Sequence, residues 1–141
     1  MTTLTALLAP HGINVADELL ADIEVPVLAG PQRQGDVGIF PRPRLGAAEL
    51  ATMTTVPAEG IPVVRGEATG NTHLLQGDGP IMWAPASPQP RDVTLGILHV
   101  PEGSVAWLIH TDEHGANGIA PGTYRIAGKR EQTDEVRRVQ D

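Results

Sequence analysis

The histidines, and the acidic residues close to some of them, are the side chains most able to do chemistry in this chain. His110 and His114 stand four residues apart with Glu113 between them, and His73 follows Glu67. Imidazole nitrogens bind zinc, iron or manganese, and a carboxylate beside the metal can act as general base on a bound water. If the fold brought His73, His110 and His114 together, they would form a divalent metal site with Glu113 or Glu67 as the base.

The run His110-Thr111-Asp112-Glu113-His114 also fits H-x-x-E-H, the inverted zinc-protease motif. That motif requires both histidines on one face of a helix. The preceding residues 105–109 carry β-branched or aromatic side chains at every second position, which favours a strand. We therefore reject the protease interpretation. The structural alternative to a metal site is a strand closed by His110 and followed by a solvated polar loop.

The other histidines are expected to serve no chemistry. His11 lies in a Pro-His-Gly turn and should be solvated, and His99 lies in a β-prone run where a hydrogen-bonded sheet histidine is typical.

Glu67 stands between Gly66 and Gly70, a spacing that indicates a bent or bulged strand. A Glu67 side chain bonded to a backbone amide or an arginine is the structural alternative to a catalytic one.

Composition excludes several other classes of function. The chain has no cysteine, so disulfides, a cysteine nucleophile and thiolate metal sites are ruled out. Ser87 and Ser104 are the only serines, both in turn contexts, and neither forms a nucleophile elbow. The net charge of −7 argues against a nucleic-acid partner. No apolar run approaches the roughly 20 residues that span a bilayer, and the first residues lack the positive region of a signal peptide, so a cytoplasmic protein is expected.

Three separated stretches share a pattern with a known protein family. They are residues 34–37 (QGDV), 66–73 (GEATGNTH) and 110–131, which holds HTDEH and PGTYRI. They resemble a family of small, uncharacterised bacterial and phage proteins with the motifs QGDV, GEVTGHAH, HxEH and PGxYxVxxQREY. The resemblance spans about residues 32–141 and implies a shared fold and a bacterial or phage origin, but no activity. Asn71 replaces the first histidine of the family's HxH, and Gln132 replaces its tyrosine.

The distribution of glycine and proline predicts an all-β fold. Sixteen glycines and thirteen prolines separate short runs rich in Val, Ile, Leu and Thr. This punctuation is typical of short strands joined by tight turns. We expect a compact β-sandwich or small partly open barrel with one or two short N-terminal helices. Strands are predicted near residues 24–28, 36–40, 61–66, 72–76, 80–84, 94–100, 104–110 and 122–128.

The chain is divided into residues 1–31, a helical N-terminal arm, and residues 32–141, a single β domain. Leu4, Leu7 and Leu8 have helical spacing. The arm is expected to cover the chain's own sheet, and docking on a neighbouring subunit is the alternative. A weak helical patch is also predicted within residues 47–53.

Two turns are predicted to close β-hairpins. Gly77–Pro80 would join the strands near 72–76 and 80–84, and Pro101–Gly103 would join those near 94–100 and 104–110. The residues expected in the core are Val37, Ile39, Val63, Leu74, Ile81, Leu95, Ile97, Val100, Val105, Trp107, Ile109, Tyr124 and Ile126.

Strand alternation makes the metal hypothesis a question of geometry. It places His73 on the same face as Leu75, and His110 on the same face as Leu108. We expect His73 and His110 on nearby strands and His114 exposed in a loop. Imidazole nitrogens more than roughly 8 Å apart could not share an ion, because zinc–nitrogen bonds are near 2 Å.

Two functions are compatible with these features of the sequence. The first is a non-enzymatic binding or assembly module, of phage or prophage origin, that self-associates or docks on a protein partner in the cytoplasm or a virion. The second is a small metal-dependent hydrolase or oxygenase-like enzyme that uses His73, His110 and His114.

Overall fold

Short strands make up about half of the described residues, which confirms the predicted all-β class. The computed structural model describes residues 2–12, 24–64, 72–86, 93–111 and 115–128. In chain order their elements are α1 (Leu4–Leu8), a 3₁₀ helix (Ala9–His11), β1 (Val27–Leu28), β2 (Gln32–Gln34), β3 (Val37–Arg42), α2 (Ala47–Thr52), β4 (Thr54–Thr55), β5 (Ile61–Val64), β6 (His73–Asp78), β7 (Met82–Pro85), β8 (Thr94–Val100), β9 (Val105–His110), β10 (Gly115–Ile119) and β11 (Gly122–Ala127).

The strands form two sheets. One has five strands in the order β1-β10-β9-β6-β5, and the other has six in the order β2-β3-β11-β8-β7-β4. All neighbouring strands are antiparallel except β1, which runs parallel to β10. The main apolar core takes side chains from both sheets, including Ile39, Leu75, Leu98, Leu108 and Tyr124. The arrangement is that of a β-sandwich, as expected.

Neither predicted hairpin forms. β6 and β7 belong to different sheets, and so do β8 and β9. Gly77 and Asp78 continue β6 and pair with Ala106 and Val105 instead of turning. Each turn therefore carries the chain from one sheet to the other, where the next strand covers the opposite side of the core.

The strand β10 lies outside the predicted strands. It pairs along its whole length with β9, from Gly115 opposite His110 to Ile119 opposite Ala106. Backbone ladder bonds need no side chain, and glycine leaves room for a large neighbour here. A Cβ on Gly118 would lie 2.8 Å from the ring of Trp107. The strands β2 and β4 were also not predicted.

The N-terminal helix covers the outer face of the five-stranded sheet. Thr3 caps α1 by accepting the backbone N–H of Ala6 on its hydroxyl oxygen, at 3.2 Å. Leu7 and Leu8 are buried in a cluster with Trp107, on the side of β9 that faces away from the main core. The described part of the arm thus packs on its own chain, and residues 13–23 lie outside the described residues.

The helix α2 covers part of the outer face of the six-stranded sheet. Its neighbour Met53 packs with Ala84 of β7 and Ile97 of β8. At the start of α2, Glu49 accepts the backbone N–H of Gly46 and forms an ion pair with Arg42. The helix matches the patch predicted within residues 47–53.

Because both sheets have layers outside them, several strands are buried on both faces. The predicted core is wrong at four positions, which are only half-buried. Leu74 and Val105 pack against the outer cluster with Trp107, and Val63 and Leu95 pack at the edge of the main core. Alternation assigns one face of a strand to the core, yet Ile97 and Leu98 are both buried. The other predicted core residues are buried.

Candidate functional site

His73 and His110 meet at one end of the sandwich. They are directly opposite each other on β6 and β9, and their rings stack with centroids 4.1 Å apart and planes 15° from parallel. Only 2% of His73 and 4% of His110 is exposed. The expectation that they lie on nearby strands is confirmed.

The register of the two strands places both rings inside. His73 alternates with Leu75, and His110 alternates with Leu108, and both leucines are fully buried in the main core. The two histidines therefore lie at the end of the apolar core. A polar side chain buried there needs a hydrogen-bond partner within the protein.

That partner is Gln34, the last residue of β2. Its amide nitrogen Nε2 donates to the carbonyl oxygen of Leu108 at 2.6 Å and to Oδ1 of Asn117 at 2.9 Å. Its oxygen Oε1 lies 2.8 Å from Nδ1 of His73. Because Gln34 uses its nitrogen on two acceptors, its oxygen accepts, and Nδ1 of His73 carries a proton.

The orientation of Asn117 supports this assignment. Its Nδ2 donates to Oε1 of Gln32 at 3.1 Å and to the carbonyl oxygen of Arg33 at 3.4 Å, so its Oδ1 is free to accept from Gln34. Backbone carbonyls anchor both amides. In the neutral form of His73, Nε2 then holds the electron pair that binds a metal or a donor.

The turn between β2 and β3 closes over the two rings. Gly35 has a φ of +56°, a conformation that favours glycine. A Cβ there would lie 3.5 Å from Cε1 of His110 and 3.7 Å from Cε1 of His73. The stretch 34–37, the end of the stretch 66–73 and the start of the stretch 110–131 thus meet at one end of the fold.

Burial sets the protonation state of His73. Loss of solvation, reinforced by repulsion from His110 and opposed by Asp36, lowers the pKa of His73 to about 4. His73 is therefore neutral near pH 7, with its proton on Nδ1.

The stacked rings do not chelate an ion in this orientation. A metal bonded to both imidazoles must lie close to both ring planes, at about 2 Å from each nitrogen. Planes 15° from parallel, with ring centroids 4.1 Å apart, meet far beyond that reach. Among the described residues no three His, Asp or Glu side chains gather in a way that could hold a metal.

The remaining predicted site residues are in other places. His114, Glu113 and Glu67 lie outside the described residues, so their predicted roles stay predictions. His99 is half-buried and bonds through Nδ1 to the hydroxyl of Thr123 at 3.0 Å, as a sheet histidine should.

His11, predicted to be solvated, is instead half-buried. Its Nε2 lies 2.7 Å from Oε1 of Gln76, on the sheet that α1 covers. The pairing joins residues 65 positions apart, so no local pattern could indicate it.

Sequence reasoning missed Gln34 and Asn117. The stretch 34–37 carried only a resemblance to a family, and residues 115–118 lie outside the predicted strands. A glutamine in a short polar segment carries no signal of burial, because its partners are 39 to 83 residues away.

A second surface lies on the outer face of the six-stranded sheet, beside the part that α2 covers. Phe40 is 37% exposed there, and the guanidinium carbon of Arg125 lies 5.0 Å from its ring centroid. Arg33 pairs with Gly38, which comes two positions before Phe40 on β3. The side chains of Arg33 and Phe40 therefore lie on the same face of the sheet. We call Arg33, Phe40 and Arg125 the arginine face.

Charge is distributed unequally between the two sheets. The described cations are four arginines, all on the strands of the six-stranded sheet or just after β3, namely Arg33, Arg42, Arg44 and Arg125. The strands of this sheet contain no Asp or Glu, and those of the five-stranded sheet contain no Lys or Arg. In the part of the chain that the structure describes, the cationic side chains are therefore gathered on one sheet, although the net charge of the chain is −7.

The described helices are all too short or too polar to cross a membrane.

Comparison with known proteins identifies a family without a known activity. A family model described as a domain of unknown function (DUF8820) matches residues 33–129. This span includes Gln34, the stacked histidines and the arginine face, and it leaves out α1. The expectation of an uncharacterised family is confirmed to this extent. No match was found among curated proteins or among solved structures.

Proposed function

Since this chain belongs to DUF8820, a family of domains of unknown function, we propose its function from its own geometry: it is a non-enzymatic binding or assembly module. Its partner is a protein or a second copy of the chain. Its proposed setting is the cytoplasm or, if the chain is of phage or prophage origin, the virion. Nucleic acid is disfavoured as a partner by the net charge of −7.

The observation that carries this proposal is the arginine face. Phe40 is the one exposed aromatic side chain in the described part of the chain, and Arg125 stacks on it. Aromatic residues and arginine are enriched at protein interfaces, because aromatic rings offer large rigid surfaces and the planar guanidinium stacks on them while it donates hydrogen bonds.

The histidine site supports a binding role more than acid–base chemistry. A general base works best with a pKa near the working pH. The pKa of His73 is lowered to about 4, so its nitrogen is a weak base near neutrality. The network of Gln34 and Asn117 holds the ring firmly, as a structural element would.

Light scattering after size exclusion tests the proposal. We expect the chain to form a dimer, or a complex with the product of a neighbouring gene, and Phe40→Ser to weaken it by about tenfold, as loss of an interface anchor does. Leu50→Ser is the matched control, because Leu50 is also an exposed apolar side chain, 59% exposed on α2, and is not one of the three residues of the arginine face. A chain that stays monomeric at high concentration, alone and with these products, would contradict the proposal.

A second candidate function is favoured by the histidine pair itself. His73 has a fixed tautomer with its electron pair on Nε2, as metal-binding histidines do, and His110 is its direct neighbour. A small metal-dependent hydrolase or oxygenase-like enzyme would need one ring to turn out of the stack. It would also need a third ligand, for which we propose His114, with Glu113 or Glu67 as the base.

Elemental analysis of untagged protein tests this candidate. The enzyme hypothesis predicts about one zinc, iron or manganese ion per chain, held by three protein ligands. His110→Ala and His114→Ala should each lose the metal while the protein stays folded, and His99→Ala should keep it. Metal-free protein that also binds no added zinc would exclude this candidate.

A further inference from the structure

We infer that the arginine face binds an acidic, extended segment of a partner protein, whose carboxylates pair with Arg33 and Arg125 while an apolar side chain lies on Phe40. This inference rests on the proposed docking function and names the chemistry of the partner. Three features of the described residues carry it.

The first feature is the orientation of Arg125. Its side chain is held over the ring of Phe40 and donates through Nη1 to the hydroxyl oxygen of Thr94 at 3.1 Å. A guanidinium has five N–H donors in a rigid fork, so a bidentate carboxylate can still bind. Because the side chain is already held, binding costs less conformational entropy.

The second feature is the position of Phe40 between the two arginines. Its ring lies over Gly38, where a Cβ would approach the ring to 2.6 Å. Gly38 pairs with Arg33 on one side, and Phe40 pairs with Arg125 on the other. The arginines thus lie on strands about 10 Å apart, since neighbouring strands are spaced by about 4.8 Å. A ligand must place its acidic groups on either side of an apolar one.

An extended chain fits that spacing. It rises by about 3.4 Å per residue and its side chains alternate between two faces, so two acidic side chains four positions apart would lie on one face and reach both arginines. The apolar side chain between them would cover the exposed part of Phe40.

The third feature is a carboxylate already bound at the border of this face. Glu49 of α2 forms an ion pair with Arg42, with Oε2 and Nη1 2.6 Å apart. Arg42 comes two positions after Phe40 on β3, so its side chain lies on the same face of the sheet. The hydrogen bond from Arg42, followed by that from the backbone of Gly46, lowers the pKa of Glu49. Arg42, at the border of the arginine face, therefore already binds a carboxylate from another element of the protein.

Charge favours a peptide over a nucleic acid as the occupant. Nucleic acid carries a charge every few ångströms and binds broad basic surfaces. Of the four described arginines, Arg42 is neutralised by Glu49, and the chain as a whole carries −7. A short acidic segment needs only Arg33 and Arg125.

Fluorescence anisotropy with the labelled peptide Glu-Glu-Leu-Val-Glu-Glu tests the inference on the full chain. We expect saturable binding that weakens with salt, and a loss of about tenfold in affinity for Arg33→Glu and for Arg125→Glu. Phe40→Ala should lose about fivefold. Arg44→Glu is the matched control, because it makes the same charge change on an exposed arginine outside the face, and it should change affinity less than about twofold.

Other results would overturn the inference in distinguishable ways. Equal binding of Lys-Lys-Leu-Val-Lys-Lys, or loss of binding in Phe40→Ala but not in Arg33→Glu, would refute the acidic chemistry and leave the docking function standing. Tighter, Arg33-dependent binding of a single-stranded DNA oligonucleotide would replace the peptide as occupant. If none of these probes binds while light scattering still shows a Phe40-dependent dimer, the face is occupied by a second copy and the inference fails.

Discussion

Replacement of Gln34 by leucine is expected to lower the free energy of unfolding by about 4 kcal/mol, a large part of the stability of a domain of this size. Leucine keeps the approximate volume but removes all three hydrogen bonds of the buried amide. The Nδ1–H of His73, the carbonyl oxygen of Leu108 and Oδ1 of Asn117 would each lose a partner. Each such buried group costs about 1–3 kcal/mol. Urea unfolding followed by tryptophan fluorescence measures the change.

Gln32→Leu is the matched control for this prediction. Gln32 lies on the same strand and bonds to the carbonyl oxygen of Gly118 at 2.8 Å, but it is more exposed, so water can replace its partners. We expect a loss of about 1 kcal/mol. Equal losses for the two variants would show that the amide of Gln34 has no special role. Nitrogen-15 NMR of the wild type should also show His73 protonated on Nδ1, and the opposite tautomer would contradict the hydrogen-bond assignment.

Acidification is expected to destabilise the protein through His73 by about 3 kcal/mol between pH 6.5 and pH 4. Burial lowers the pKa of His73 from 6.5 to about 4, with His110 adding to the shift and Asp36 opposing it. Between these values the unfolded chain binds the proton and the folded chain does not, so stability falls with pH. The full contribution is present above pH 6.5 and is lost as the pH approaches 4.

The variant His73→Gln isolates this effect. It removes the titrating ring. The slope of the unfolding free energy against pH over this window should therefore decrease by the amount that corresponds to about one bound proton. His99→Gln, which alters a half-buried histidine on the other sheet, should keep the slope of the wild type. If His73→Gln and the wild type lose the same stability on acidification, the proton is taken up at another group.

Short-range patterns in the sequence were enough to predict the strands that carry the histidines. The alternation around Val105, Trp107 and Ile109 predicted β9 and placed His110 on the face of Leu108, and this face lies in the main core. Alternation placed His73 with Leu75 in the same way. Such predictions succeed because the direction of a side chain along a strand depends only on its parity.

Turn signals were weaker guides. The sequence indicated where the chain turns, at Gly77–Pro80 and Pro101–Gly103, but not which sheet the next strand joins. Both turns cross between the sheets, because the apolar residues of β7 and β9 find their burial on the opposite side of the core. That choice depends on the total apolar area buried by the whole chain, which no local pattern contains.

The sequence by itself therefore determined the all-β class, the absence of cysteine chemistry and which residues share a face with His73 and His110. The predicted core placed the opposite faces, with Leu74, Trp107 and Ile109, inside, and the tertiary structure turned the histidine faces toward the main core instead. Only the tertiary structure decided that these two rings stack, that Gln34 fixes the tautomer of His73, and that Arg33 and Arg125 flank Phe40. Each of these facts depends on the register between strands that are distant in sequence. A slip of one residue would turn every side chain of a strand to the other face, and that register is set by packing across the whole sandwich.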